Sequence, residues 1–98
     1  MNTITAHGTI WLYPGDKASW YFLTLDKAAQ KKLETLKGKT RGWGQVGVTA
    51  TLGNTTWETS VFPDKKLGWG MPIKAQVRKK EGVGEGSKVT IKLELRKY

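Results

Sequence analysis

From residue 88 onward the chain alternates without a break: Val89, Ile91, Leu93 and Leu95 are separated by Thr90, Lys92 and Glu94, with Lys88 and Arg96 outside them. Successive side chains of a strand point to opposite faces, so a period of two predicts a strand with one buried side. The same period runs through Val46, Val48, Ala50 and Leu52, interleaved with Gly47, Thr49 and Thr51. Gly53-Asn54 reads as a two-residue hairpin turn. A return strand is expected from Thr55 to about Phe62, stopped by Pro63-Asp64. Earlier in the chain, Ile4 to Leu12 and Ser19 to Leu25 are rich in β-favouring residues, and Tyr13-Pro14-Gly15-Asp16 between them reads as a turn. A sixth strand is expected from Met71 to Val77, with Met71, Ile73, Ala75 and Val77 on one side. Gly82, Gly84 and Gly86 then mark a loop.

One stretch changes period. Ala29, Leu33 and Leu36 fall on one helical face, and Lys27 to Lys37 consists mostly of good helix formers. Asp26 is placed to cap the first turn. Gly38 is a plausible stop, with Lys37 and Lys39 near the negative end of the dipole. Six short strands with one apolar face each, and a single helix, predict a closed or half-open barrel formed by one domain, residues 1–98.

The two halves echo each other. Lys27-Ala28 and Gln30-Lys31-Lys32 resemble Lys74-Ala75-Gln76 and Arg78-Lys79-Lys80, and each set precedes a Gly-containing loop and an alternating strand. Gly-Trp-Gly occurs at Gly42-Trp43-Gly44 and again at Gly68-Trp69-Gly70. A diverged internal duplication accounts for this pattern.

Composition narrows the chemistry. With 17 Lys and Arg against 8 Asp and Glu, the formal charge is +9. A field of that sign draws polyanions such as nucleic acid. There is no cysteine and His7 is the only histidine, so a zinc cluster, a disulfide or a Cys-His pair cannot be assembled. The acidic residues show no paired-carboxylate spacing. No metal, no cofactor and no enzymatic activity are expected. The N-terminus lacks a basic region followed by an apolar run, and no apolar stretch reaches membrane-spanning length. A cytoplasmic protein without membrane insertion, monomeric or a small homo-oligomer, is the expectation.

Four blocks carry a resemblance. Trp20-Tyr21-Phe22-Leu23-Thr24-Leu25, Gly42-Trp43-Gly44, Thr56 to Pro63 and Pro72 to Lys79 resemble, in that order, the signature blocks of the domain-of-unknown-function 1905 family. The resemblance covers about Thr9 to Leu95. It implies a mainly β fold: a small six-stranded, partly open (double-split) β-barrel with one main α-helix. It implies no established activity. Asp26 stands where that family usually has proline, which exchanges a rigid first turn for a side-chain cap. Some relatives carry an additional domain of the OmpD-associated bacteriocin-protection type. A second, local resemblance links Arg78 to Val89 with the segment that closes the swapped-hairpin barrel of AbrB/MazE transcription factors. Ser87 replaces the aspartate of that pattern, and Pro72 lies farther before Arg78, so the shared pattern implies fold rather than DNA binding.

The residues singled out for ligand binding are Arg41, Trp43, Trp69, Lys74 and Arg78. On a strand, Lys74, Gln76 and Arg78 would share one face beside Trp69, offering cations to phosphate oxygens and an indole for stacking. The two Gly-flanked tryptophans admit another reading, in which each plugs an end of the barrel with its N–H on a nearby acceptor. The basic helix reads as a solvated face. Glu58 and Ser60 share a strand face between Trp57 and Phe62, but one carboxylate without a partner base does not make an active site. The expected function is a small binding module for an anionic ligand or nucleic acid. A protein-interaction domain, which would show an exposed apolar patch, is the alternative. A small-molecule-binding barrel, with a concave site lined by tryptophans, is the second.

Overall fold

The structure, a computed structural model, describes residues 3–13, 20–36 and 44–96. Its order is β1 (Thr3–Tyr13), β2 (Trp20–Thr24), α1 (Lys27–Leu36), β3 (Val46–Leu52), β4 (Thr55–Asp64), β5 (Gly68–Pro72), α2 (Ala75–Glu81) and β6 (Lys88–Leu95). The strands form a closed antiparallel ring, β1-β2-β5-β4-β3-β6. The mainly β, six-stranded barrel expected from the alternation is therefore present, with its ring closed rather than partly open.

Period two becomes inside and outside. In β6, Val89, Ile91, Leu93 and Leu95 are buried while Lys88, Thr90, Lys92 and Glu94 are exposed. Ile4, Ala6 and Ile10 of β1, Leu23 of β2, Val48 and Ala50 of β3, Val61 of β4 and Met71 of β5 fill the same interior. Ala29 and Leu33 of α1 and Val77 of α2 join that cluster. Among the described residues no polar or charged side chain is buried. The interior is a packed apolar core with strand amides satisfied in the ladders. Among the described residues no helix is long and apolar enough to cross a membrane.

β1 serves two pairings. Thr3 to Thr9 pair with β6, and Ile10 to Tyr13 pair with β2. The change of partner falls between Thr9 and Ile10; Gly8, just before it, faces inward in the register of Ala6 and Ile10. A Cβ at Gly8 would lie 2.8 Å from Leu23 Cδ1 and 2.9 Å from the Thr24 carbonyl oxygen. That side of the strand has no room for a side chain.

The sixth expected strand requires correction. β5 ends at Pro72, and residues 75–81 form a second helix instead of continuing the strand. Lys74 is its N-terminal flanking residue, in extended conformation (φ −70°, ψ 157°), and its carbonyl accepts from the N–H groups of Val77 and Arg78, both at 3.1 Å. Gly82, left-handed at φ 65°, ends the helix, its N–H on the Arg78 carbonyl. Ala75 is exposed rather than sharing a buried side with Val77, so Lys74, Gln76 and Arg78 do not form one strand face.

The second helix completes an internal symmetry. Each half reads strand, strand, helix, strand, and exchanging the halves leaves every neighbour in the ring unchanged. The registers match as well. Trp11–Phe22, Leu12–Tyr21 and Tyr13–Trp20 in one half correspond to Phe62–Gly70, Pro63–Trp69 and Asp64–Gly68 in the other. The halves meet along β2–β5, where Leu25 N–H donates to the Trp69 carbonyl and Ile73 N–H to the Tyr21 carbonyl, both at 2.8 Å. Even side chains correspond: Gln30 Nε2 donates to the Leu25 carbonyl (2.6 Å), and Arg78 Nε to the Ile73 carbonyl (3.1 Å). The topology bears out the likeness of the two helical segments, but it sets Gly68-Trp69-Gly70 against Trp20-Tyr21-Phe22, so the two Gly-Trp-Gly segments are not counterparts.

Asp26 caps α1 and also ties it to β1, accepting the His7 backbone N–H at 2.8 Å. Burial raises the Asp26 pKa, but N–H bonds from His7, from its own residue and from Ala29, with the nearby His7 charge, outweigh burial and leave the carboxyl below its ordinary value. A depressed folded-state pKa stabilises the fold at pH above the unfolded carboxyl value, and that stabilisation disappears as pH falls through the folded value. Asp26→Asn keeps a capping oxygen and removes the charge. Chemical denaturation should show the variant about 0.5–1 kcal/mol less stable at neutral pH. The gap should close as pH falls below the ordinary value of 3.8. A gap of constant size down to acid pH would contradict this account.

Candidate functional site: an aromatic groove on the barrel wall

The anomaly of this surface is on β1 and β2. Inward residues of β1 run Ile4, Ala6, Gly8, Ile10, so Trp11 and Tyr13 point outward. In β2, Leu23 points inward, and Trp20, Phe22 and Thr24 point outward. Faces that should be polar carry rings instead. Tyr13 is 53% exposed, Trp20 56%, Phe62 42% and Leu67 46%. Isolated exposed apolar residues are ordinary; a contiguous set marks a contact surface.

The rings are ordered against one another. Trp20 stacks beside Phe22 with centroids 6.5 Å apart and planes 20° apart. Trp11 lies 5.4 Å from Phe22, and Tyr13 meets both Trp11 and Phe22 edge-on at 6.3 Å. Such offset and edge-to-face arrangements are the favoured geometries of aromatic pairs. Trp11 Nε1 donates to Thr24 Oγ1 at 3.0 Å, which holds its indole in place.

Beside this wall runs a groove of about 570 Å³, bounded on its far side by Phe62, Asp64 and Leu67. Its floor is Gly70 and Pro72 of β5. Gly70 is not forced by its backbone, since its φ lies outside the left-handed region and an added Cβ would only press the Leu23 carbonyl oxygen at 3.3 Å. Glycine weakens a strand, so its presence at an outward position beneath a groove is explained by the clearance it leaves.

Among the described residues, Asp64 is the only charged one lining the groove. Its Oδ1 accepts the backbone N–H of Lys66 (2.8 Å) and of Leu67 (3.0 Å), closing the β4–β5 turn. Those two bonds, Leu67's first, hold the carboxyl below its usual range, so it is ionised at neutral pH. A neighbouring recess shares Pro63 and Asp64 with the groove and carries Lys27 and Lys31 together with Glu34. Lys65 and Lys66 are exposed in the turn.

Of the residues singled out from sequence, Trp69, Lys74 and Arg78 do not line this groove. Arg41 and Trp43 lie outside the described residues. Trp69 is buried, with Nε1 donating to Glu34 Oε2 of α1 at 2.7 Å, as a plug would be. Arg78 binds the Ile73 carbonyl and lays its guanidinium 3.6 Å from the centroid of the Tyr21 ring. It fastens α2 to β2. Lys74 is exposed at the start of α2. Glu58 is exposed and pairs with Arg96 at 2.8 Å, away from the groove. The lining residues Trp11, Tyr13, Trp20 and Phe22 were readable from strand phase, because large rings on the outward phase break the expected alternation.

No curated protein matches the sequence. The model of the family described as "Domain of unknown function (DUF1905)" matches residues 7–93, nearly the whole barrel from β1 to β6. The chain belongs to that family.

Proposed function

We propose that the domain is a binding module for single-stranded nucleic acid, with bases entering the aromatic groove and phosphates meeting the surrounding lysines. The observation that carries this reading is the set of exposed rings, Trp20 and Tyr13 foremost, beside a floor cleared by Gly70. Stacking on aromatic side chains combined with basic surroundings is how sequence-tolerant binding of single strands works. The net charge of +9 supplies the long-range attraction, and Lys65 and Lys66 are exposed directly between the lining residues Asp64 and Leu67. On this reading the ligand lies along the barrel wall, and Arg78 takes no part in holding it.

Trp20→Ala should weaken binding of a labelled oligonucleotide about 10- to 100-fold, the loss of one stacked base. Its melting temperature should hardly change, because the indole is mostly in solvent. Affinity of the unmodified chain should fall with salt, at a logarithmic slope of about −0.7 per phosphate contacted. Fluorescence anisotropy at low and moderate salt measures both. No binding at micromolar concentration in low salt would remove the reading.

A second reading is favoured by the same exposed apolar surface: a protein partner seated on the rings. It predicts association that is insensitive to salt and is abolished by Trp20→Ala.

A further inference from the structure

We infer that Asp64 selects the base, favouring one that presents an exocyclic amine over thymine or uracil. The inference rests on the nucleic-acid reading above and adds a residue that discriminates within it. An aromatic face stacks any base, so stacking alone carries little sequence preference. Discrimination needs a polar group at the edge of the stack. Asp64 lines the groove opposite the aromatic wall, and both bonds to its own turn fall on Oδ1. Oδ2 takes no part in that turn. An ionised carboxylate only accepts hydrogen bonds, so Oδ2 matches a donor edge such as the N4 amine of cytosine and opposes the O4 carbonyl of thymine. Lys65 and Lys66 follow Asp64 directly and offset its repulsion of phosphate.

Asp64→Asn tests this cleanly. The asparagine oxygen can keep both turn bonds, while an NH₂ group replaces Oδ2 and turns the acceptor into a donor. Labelled oligo(dC) and oligo(dT) of about ten nucleotides, within the span of a small single-strand site, serve as probes. The unmodified chain should bind oligo(dC) about tenfold more tightly than oligo(dT), a difference typical of one well-made base contact. In Asp64→Asn the ratio should fall to about one or reverse, with oligo(dT) affinity retained or raised, which also shows that the variant is folded. Equal binding of both probes by the unmodified chain overturns the inference and leaves the parent reading standing. So does an oligo(dC) preference that survives in Asp64→Asn. Failure of both oligonucleotides to bind overturns this inference and the parent reading together; binding of tetramethylammonium in their place would show that rings around a carboxylate serve an organic cation.

Discussion

Leu93→Ala is expected to cost about 3–4 kcal/mol, within the range for a large aliphatic side chain removed from a rigid core. Leu93 is fully buried on β6, the strand that pairs with both β1 and β3 and so closes the ring. Neighbours on two sides are fixed by ladder hydrogen bonds and cannot collapse into the space. For a domain of this size, each kcal/mol shifts the melting temperature by roughly 4–8 °C, so a drop of about 12 °C or more is the readout. Lys92→Ala, an exposed position on the same strand, should change stability by less than about 0.5 kcal/mol. A Leu93→Ala variant melting within a few degrees of the parent would mean that β6 does not close this barrel.

Gly8→Val should be similarly damaging for the opposite reason. The position already places a Cβ within 2.9 Å of the Thr24 backbone oxygen, and a backbone atom cannot swing aside as a flexible side chain can. Two further methyl groups would enter the packed interior beside Leu23. Overpacking typically costs 1–3 kcal/mol, and the upper end, about 3 kcal/mol, applies where the backbone itself must move. Gly8→Ala should fall between the parent and the valine variant in a urea titration. Equal midpoints for all three would show that β1 is looser at Gly8 than its distances imply.

The fold was legible wherever burial on one face imposed a strict period. β3, the hairpin at Gly53-Asn54, β4 and β6 follow directly from alternation, and α1 follows from Ala29, Leu33 and a capping Asp26. α2 was not, because the spacing of Met71, Ile73, Ala75 and Val77 continues a period of two across a change of structure. Met71 and Ile73 are buried by β5 and the residue after it, whereas Val77 is buried one helical turn beyond Ile73. Pro72, which lacks an N–H for the ladder, and Gly82, left-handed at the helix end, were the local signals. The likeness of Lys74–Lys80 to the α1 segment pointed the same way, and the topology now explains it.

The site was less legible. Glycines drew attention to Trp43 and Trp69, yet the glycines around Trp69 do different work: Gly70 lowers the groove floor while the indole itself is buried against Glu34. Arg78 looked like a phosphate ligand because its charge is visible in sequence. Its engagement with Tyr21 and the Ile73 carbonyl depends on the helix that sequence pattern alone concealed. The groove needed β2, β4 and β5 to be brought side by side, and nothing local in the chain specifies that neighbourhood.

The internal repeat bears on how anything can lie across the wall. A face centred on a twofold seam presents the same shape when turned end over end, so it could not distinguish the head of a ligand from its tail. Here the counterparts of Tyr13, Trp20 and Phe22 are Asp64, Gly68 and Gly70. One copy carries rings where the other carries glycines and a carboxylate, which gives a raised flank on one side of the seam and a hollow ending in a negative charge on the other. The break in the symmetry gives the cleft a direction.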